Sequence, residues 1–182
     1  MPIDRTVRLA RAGDRDALSK LCEHFYPLLR RFFRRMGASA ADADDLAQDT
    51  LLRMMESLDT FRFLPGHSFD GWLFRIAYNL FIDAARRKKM LPIPDAFPAV
   101  APDPTPEQTA LKNESATELK AAISSLDSEL QALLAFRYDM DMSYLEIAQA
   151  MNIKPARVKW RLSEAKTKLR LLLNPPDKPN PT

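Results

Sequence analysis

SYLEIAQAMNIKPARVKWRL, residues 143–162, contains a helix start, a helix stop and a second helix start in immediate succession. Ser143 is a favoured N-cap residue and Glu146, three positions on, completes a capping box. The spacing therefore predicts a short helix that buries Leu145, Ile147, Ala148 and Met151. Asn152 suits the left-handed residue that ends many helices, Ile153 packs into the angle, and Pro155 opens the next helix at its first turn, where a missing N–H is no loss. These parts read as a helix-turn-helix. In its second helix Val158, Leu162, Ala165, Leu169 and Leu172 form one apolar stripe. At about 100° per residue, Arg157, Trp160, Arg161 and Glu164 cannot all turn inward with that stripe. The outward residues suit a DNA major groove, with Arg157, Lys159, Trp160, Arg161 and Ser163 toward the bases and Lys154 and Lys166 on flanking phosphates. A merely solvated basic face, or a Trp160 packed on a neighbouring helix, would account for the same residues.

Around this motif, long spans of helical spacing, few β-branched runs and only 4 glycines in 182 residues predict an all-α chain. Leu18, Leu21, Cys22, Phe25, Leu28, Leu29, Phe32 and Met36 recur every three or four positions, in a helix that Pro27 should kink or divide. A second helix opens near 41–45, where carboxylates suit the positive end of the dipole, and runs to about Leu58. The stretch FRFLPGHSFDG, residues 61–71, breaks the period at Pro65 and Gly66, and a third helix resumes at Trp72. On it Arg75, Asn79, Asp83, Arg86 and Arg87 share a side away from the apolar stripe. Residues 90–106, MLPIPDAFPAVAPDPTP, carry six prolines and no regular spacing, which marks an extended linker. Two small helical domains follow, 1–90 and 113–174, joined by a Pro-rich linker over 91–112 and followed by a disordered tail over 175–182.

Composition narrows the function classes. Hydrophobic residues make up 46% and charged residues 28%, as in an ordinary soluble protein, and the formal charge is +3. The basic residues gather at 30–35, 86–89 and 154–170, which favours nucleic acid. One cysteine, Cys22, excludes an internal disulfide framework and a cysteine-based zinc site and fits a reducing cytoplasm. It lies on an apolar stripe and reads as core filling. No stretch approaches the roughly 20 apolar residues of a membrane helix, so no membrane insertion is expected. Two histidines, one cysteine and no glycine-rich phosphate loop leave neither a nucleophile-base pair nor a metal set, so neither catalysis nor a cofactor is expected. The third helix and its aromatic loop could hold single-stranded DNA by phosphate contacts and base stacking, or could be a capped core helix with solvated charge.

DADDLAQDTLLRMMESLDTF, then FDGWLFRIAYNLFIDAARR and, past the linker, LDSELQALLAFRYDMDMSYLEIAQAMNIKPARVKWRLSEAKTKLR resemble the extracytoplasmic-function (group 4) sigma factors of bacterial RNA polymerase. The likeness covers about residues 8–87 and 118–172, in the family's order. It implies a region-2 domain that opens the −10 promoter element, a region-4 domain that reads the −35 element, and a linker threaded through the polymerase. It further implies that Asp45, Gln48, Leu52 and Arg53 bind the coiled coil of the polymerase's largest subunit, and that the flap is a second contact. The loop over 61–71, with Phe61, Arg62, Phe63 and His67, would capture a flipped base. Arg75 and Asn79 would line the same strand, and Arg86, Arg87 and Lys88 would hold its backbone upstream. An anti-sigma factor completes the partners that the resemblance implies.

The sequence departs from the family pattern at three places. The loop is lengthened by FLPGHS, Trp160 stands where a small polar residue is usual, and Glu164 stands where a basic one is common. The last two imply an altered −35 preference, with Glu164 accepting from a cytosine amine. Two other functions use parts of this surface: a mimic that sequesters an anti-sigma factor, and a conventional helix-turn-helix regulator. The mimic needs neither the loop nor the basic cluster over 86–89, and the regulator has no need of the Asp45 surface.

Overall fold

The computed structural model describes residues 3–90 and 110–174, with side chains over 3–87 and 117–174. Among these residues every regular element is helical. Helices α1 (Ile3–Arg11), α2 (Arg15–Arg35), α3 (Ala40–Ser57) and α4 (Phe69–Met90) form the N-terminal body. Helices α5 (Ala110–Ser124), α6 (Ser128–Leu134), α7 (Tyr144–Met151) and α8 (Pro155–Leu173) form the C-terminal one. Most of the expected linker, and all of the expected tail over 175–182, lie outside the described residues. Its final positions do not, because α5 already begins at Ala110.

Local chemistry accounts for the helix ends. Asp14, Ser39 and Asp127 each accept a backbone N–H three residues ahead and so cap α2, α3 and α6. Pro27 does not divide α2, which runs unbroken over 21 residues. Pro27 and Glu23 are both exposed, so water can replace the amide that the Glu23 carbonyl loses. The stripe expected on α2 is buried at Leu21, Phe25, Leu29 and Phe32, with Cys22 half-buried beside it. Helix α1, absent from the sequence expectation, packs Val7 and Ala10 into the same core. Helix α6 ends at Leu134 and passes into a π turn over Ala135–Asp139.

That π turn decides how the two bodies sit. It delivers Phe136, fully buried, onto Phe32 of α2 with ring centroids 4.8 Å apart and planes 8° from parallel. Phe74 and Tyr78 of α4 meet the same ring edge-on at 5.7 and 6.3 Å. Helix α7 lies along α4, and one apolar core runs through both bodies. The two bundles are therefore packed together and not held by their connection alone.

Candidate nucleic-acid interface

The helix-turn-helix is built as its sequence requires. The Glu146 amide donates to Ser143 Oγ at 3.3 Å, and the Ser143 amide donates to Glu146 Oε2 at 2.8 Å, which closes the capping box. Asn152 adopts φ 55°, ψ 44°, and Pro155 opens α8. Ile147, Ala148 and Met151 are buried, but Leu145 is 54% exposed, which corrects the expectation of four buried positions. Val158, Leu162 and Ala165 seat α8, whereas Leu172 at its far end is exposed.

On the outer side of α8, Lys154, Arg157, Lys159, Trp160, Ser163 and Lys166 are all exposed, and Trp160 reaches 63%. Trp160 therefore does not pack on a neighbouring helix. Lys166 stands 5.8 Å over the Tyr138 ring. Arg161 behaves differently, with a side chain only 14% exposed. It donates to Glu129 through Nη2 and to Glu164 Oε2 at 2.7 Å, and it lies 3.7 Å from Asp127. Those carboxylates, the Glu129 hydrogen bond foremost, hold the guanidinium firmly charged. Arg161 ties α8 to the start of α6, with its guanidinium 5.9 Å over the Trp160 ring. Glu164 is consumed by the same cluster: Lys168 and Arg161 hold its carboxyl below the usual carboxylate range, with Lys168 at 3.0 Å. A carboxylate so occupied is poorly placed to accept from a cytosine amine. Arg157 lies 3.8 Å from Glu129 yet keeps most of its side chain in solvent.

The loop after α3 is also divided. Phe61 is 2% exposed and sits inside an aromatic cluster with Phe63, Phe69 and Trp72 at centroid distances of 4.9, 5.3 and 5.5 Å. Phe63 is half-buried under the Arg8 guanidinium at 4.0 Å. Exposed at the loop are Arg62, which donates to the Asp59 carbonyl, and Leu64, Pro65, Gly66 and His67. Gly66 takes φ 75° at the turn, a backbone shape that glycine adopts without strain. Sequence reasoning passed over Leu64, whose signal was an apolar residue set directly against a Pro-Gly turn.

Helix α4 brings Arg75 and, one turn on, Asn79 to its exposed surface, with Arg86 and Arg87 about two turns further, while Leu73, Phe74, Ala77 and Leu80 are buried. The Lys88 side chain lies outside the described residues. On α3 the acidic start is sorted: Asp44 accepts from Arg30 at 2.6 Å and from Tyr26 at 3.0 Å, and Arg30 chiefly holds its carboxyl low. Asp45, Gln48, Leu52 and Arg53 are exposed together, Leu52 at 53%. Among the described residues, no group of His, Cys, Asp or Glu is placed to hold a metal ion, and no helix is long and apolar enough to cross a membrane.

Known proteins share this organisation. The Sigma-70 region 2 family matches residues 21–90, and the Sigma-70, region 4 family matches 116–169. The ECF RNA polymerase sigma factor EcfG of Rhodopseudomonas palustris is 34% identical over 149 residues, covering 81% of this chain and 80% of that protein. The ECF RNA polymerase sigma factor SigE of Mycolicibacterium smegmatis is 33% identical over 165 residues, which is 87% of this chain but 63% of the longer relative. Among solved structures, CnrH in complex with the cytosolic domain of CnrY superposes with a TM-score of 0.69 at 25% identity, covering 95% of this chain and 97% of that one.

Proposed function

This chain belongs to the ECF RNA polymerase sigma factors, non-enzymatic subunits of transcription initiation, and from that premise we propose how its surfaces divide the work. The chain binds core polymerase, with the α3 strip Asp45, Gln48, Leu52 and Arg53 on the coiled coil of the largest subunit and the C-terminal body on the flap. The exposed side of α8 reads the −35 element in the major groove, with Arg157, Lys159, Trp160 and Ser163 toward base edges and Lys154 and Lys166 on phosphates. The single observation that carries this reading is Trp160, a large apolar ring left 63% exposed in the middle of a basic helix face. Arg161 contributes as a positioning residue, fixing the angle of α8 on α6 through Glu129 and Asp127.

At the −10 element the strand runs past Arg75 and Asn79, with Arg86, Arg87 and Lys88 on its backbone. The flipped base is received at the exposed rim of the loop, by Arg62, Leu64 and His67, over a rigid floor made by Phe61 and Phe63. Extruding a base costs a few kcal/mol. A pocket whose floor is already packed returns that energy without first ordering itself, so opening needs no ATP. An anti-sigma factor is the expected restraint, acting in the cytoplasm beside the polymerase.

Run-off transcription from genomic fragments tests the assignment, using purified core polymerase with and without the chain. New transcripts that appear only with the chain support it, and core polymerase that neither binds the chain nor gains a start site refutes it. At any promoter so found, Asn79→Ala should slow opening and leave polymerase binding intact.

A further inference from the structure

The first helix of the helix-turn-helix is fastened to the loop that precedes α4. Gln149 of α7 uses its side-chain amide like a piece of backbone. Its Oε1 accepts from the Ser68 N–H at 3.0 Å, and its Nε2 donates to the Ser68 carbonyl at 3.1 Å. The clasp closes over Gly71, where an added Cβ would lie 2.7 Å from Gln149 Oε1 and 3.2 Å from Gln149 Cβ. Gly71 sits in the first turn of α4 at an ordinary helical φ, so its backbone does not require glycine. The clasp does. On the far side of the seam Arg31 Nη2 donates to the Asp139 carbonyl at 2.5 Å, and Arg35 pairs with the Asp139 carboxylate at 3.2 Å. Phe136 fills the space between.

We infer that this docked arrangement is a self-restrained resting state, in which the C-terminal body holds the −10 loop through Gln149 and must let go before promoter DNA can be engaged. Three observations lead there. In helix-turn-helix docking the first helix crosses the DNA backbone, yet here α7 is laid along α4. The Ser68 peptide, inside the loop assigned to the flipped base, has both its N–H and its C=O taken by Gln149. The seam also carries a built-in weakness, since the Asp70 carboxyl beside it is pushed up by burial first and then by the like charge of Glu146 on α7. A seam made of the Gln149 and Arg31 side-chain hydrogen bonds, the Arg35–Asp139 ion pair, the buried Phe136 ring and one repulsive pair can be released by mass action when polymerase takes up α3 and the C-terminal body separately. The inference rests on the sigma-factor reading above.

The geometry supplies its own lock. The 3.2 Å between a Gly71 Cβ and Gln149 Cβ is close to the roughly 3.5–4.5 Å of a disulfide, so Gly71→Cys with Gln149→Cys, in a Cys22→Ala background, cross-links the seam on oxidation. Run-off transcription with core polymerase is measured for this protein oxidised and reduced, alongside Gly71→Ala and Gln149→Ala. Solution scattering gives the radius of gyration of each chain free of polymerase. The oxidised protein should lose transcription at least tenfold and recover it on reduction, whereas Gly71→Ala and Gln149→Ala should expand the free chain and raise transcription at limiting protein by about threefold to tenfold. An oxidised protein that transcribes like wild type overturns the inference, and so does a folded Gly71→Ala chain that is no larger and no more active. If the wild-type chain directs no transcription, the sigma-factor reading fails instead. The docking is then judged by scattering alone, and an unchanged Gln149→Ala radius overturns it.

Discussion

Phe61 and Trp160 are large aromatic residues in the two segments proposed to face DNA, and the fold treats them in opposite ways. Trp160 is 63% exposed on α8, and Phe61 is 2% exposed beneath its loop. The difference follows from what each segment has to stand on. Helix α8 spends one side, Val158, Leu162 and Ala165, on the core and has another to display. The loop over 61–68 has no periodic side to spend, so Phe61 and Phe63 become its foundation. A helical reader can present an aromatic anchor, whereas an irregular one needs its aromatics as its own core and must recognise a base with what is left at the rim.

Substitution at the foundation should have the largest effect. Phe61→Ala removes a ring packed against Phe63, Phe69 and Trp72, and about 3–5 kcal/mol of unfolding free energy should be lost in a denaturant titration. Trp160→Ala should change the same titration by less than about 0.5 kcal/mol. Equal losses at the two sites would erase the distinction between foundation and display. Arg161→Met comes next. It leaves Glu129, Asp127 and Glu164 without their shared cation, at a cost of about 2 kcal/mol given a side chain only 14% exposed. Arg161→Lys should recover part of the stability but less of the −35 discrimination, because one ammonium cannot keep the fork that sets the α8 angle.

How far such roles are legible beforehand depends on how local their causes are. Ser143, Glu146, Asn152 and Pro155 fix their turns through neighbours within four positions, and the helix-turn-helix could be read directly. Trp160 followed from periodicity. The inward turn of Arg161 did not, because its partner Glu129 lies 32 positions away on α6. Leu145 failed for a related reason: an apolar position at the edge of a stripe is covered only if a neighbouring element arrives there, and none does. Burial of Phe61 was hidden by the loss of period after Leu58. The Gln149 clasp spans 81 positions and leaves one faint trace, a glycine in the first turn of a helix that would otherwise favour alanine.

Display on α8 predicts a loss of function without a loss of fold. Trp160→Ala should reduce transcription from a −35-dependent promoter by about tenfold, with its thermal midpoint unmoved, since one good base-edge contact is worth about 1–3 kcal/mol. Arg157→Ala should follow it, and Lys166→Ala should weaken promoter binding uniformly across sequences while flattening its salt dependence. A Trp160→Ala chain with full activity would return the ring to the class of surface residues without a role.

The smallest expected effect lies where the two regions meet. Asp70, in the first turn of α4 beside the Gln149 clasp, has its carboxyl pushed up first by burial and then by Glu146 of α7, while Asp4 adds to the rise and His24 opposes it. Because the docked value is raised, protonation favours docking. The penalty is absent below the ordinary carboxylate range and grows as pH climbs through the raised value. Asp70→Asn removes that penalty. It also removes a charge from the start of α4, worth about 0.3–1 kcal/mol of helix stability. That helix persists docked or undocked, so the cost cancels from the docking equilibrium, and only the contact with Glu146 remains. Fluorescence transfer between labels on the two bodies should therefore show Asp70→Asn more closed at neutral pH, and transcription should fall by about two- to threefold. On acidification the wild-type chain should close and the variant respond less. A variant that opens at neutral pH, or that keeps the full acid response, would mean that Asp70 is buried by its own helix and loop and does not sense α7.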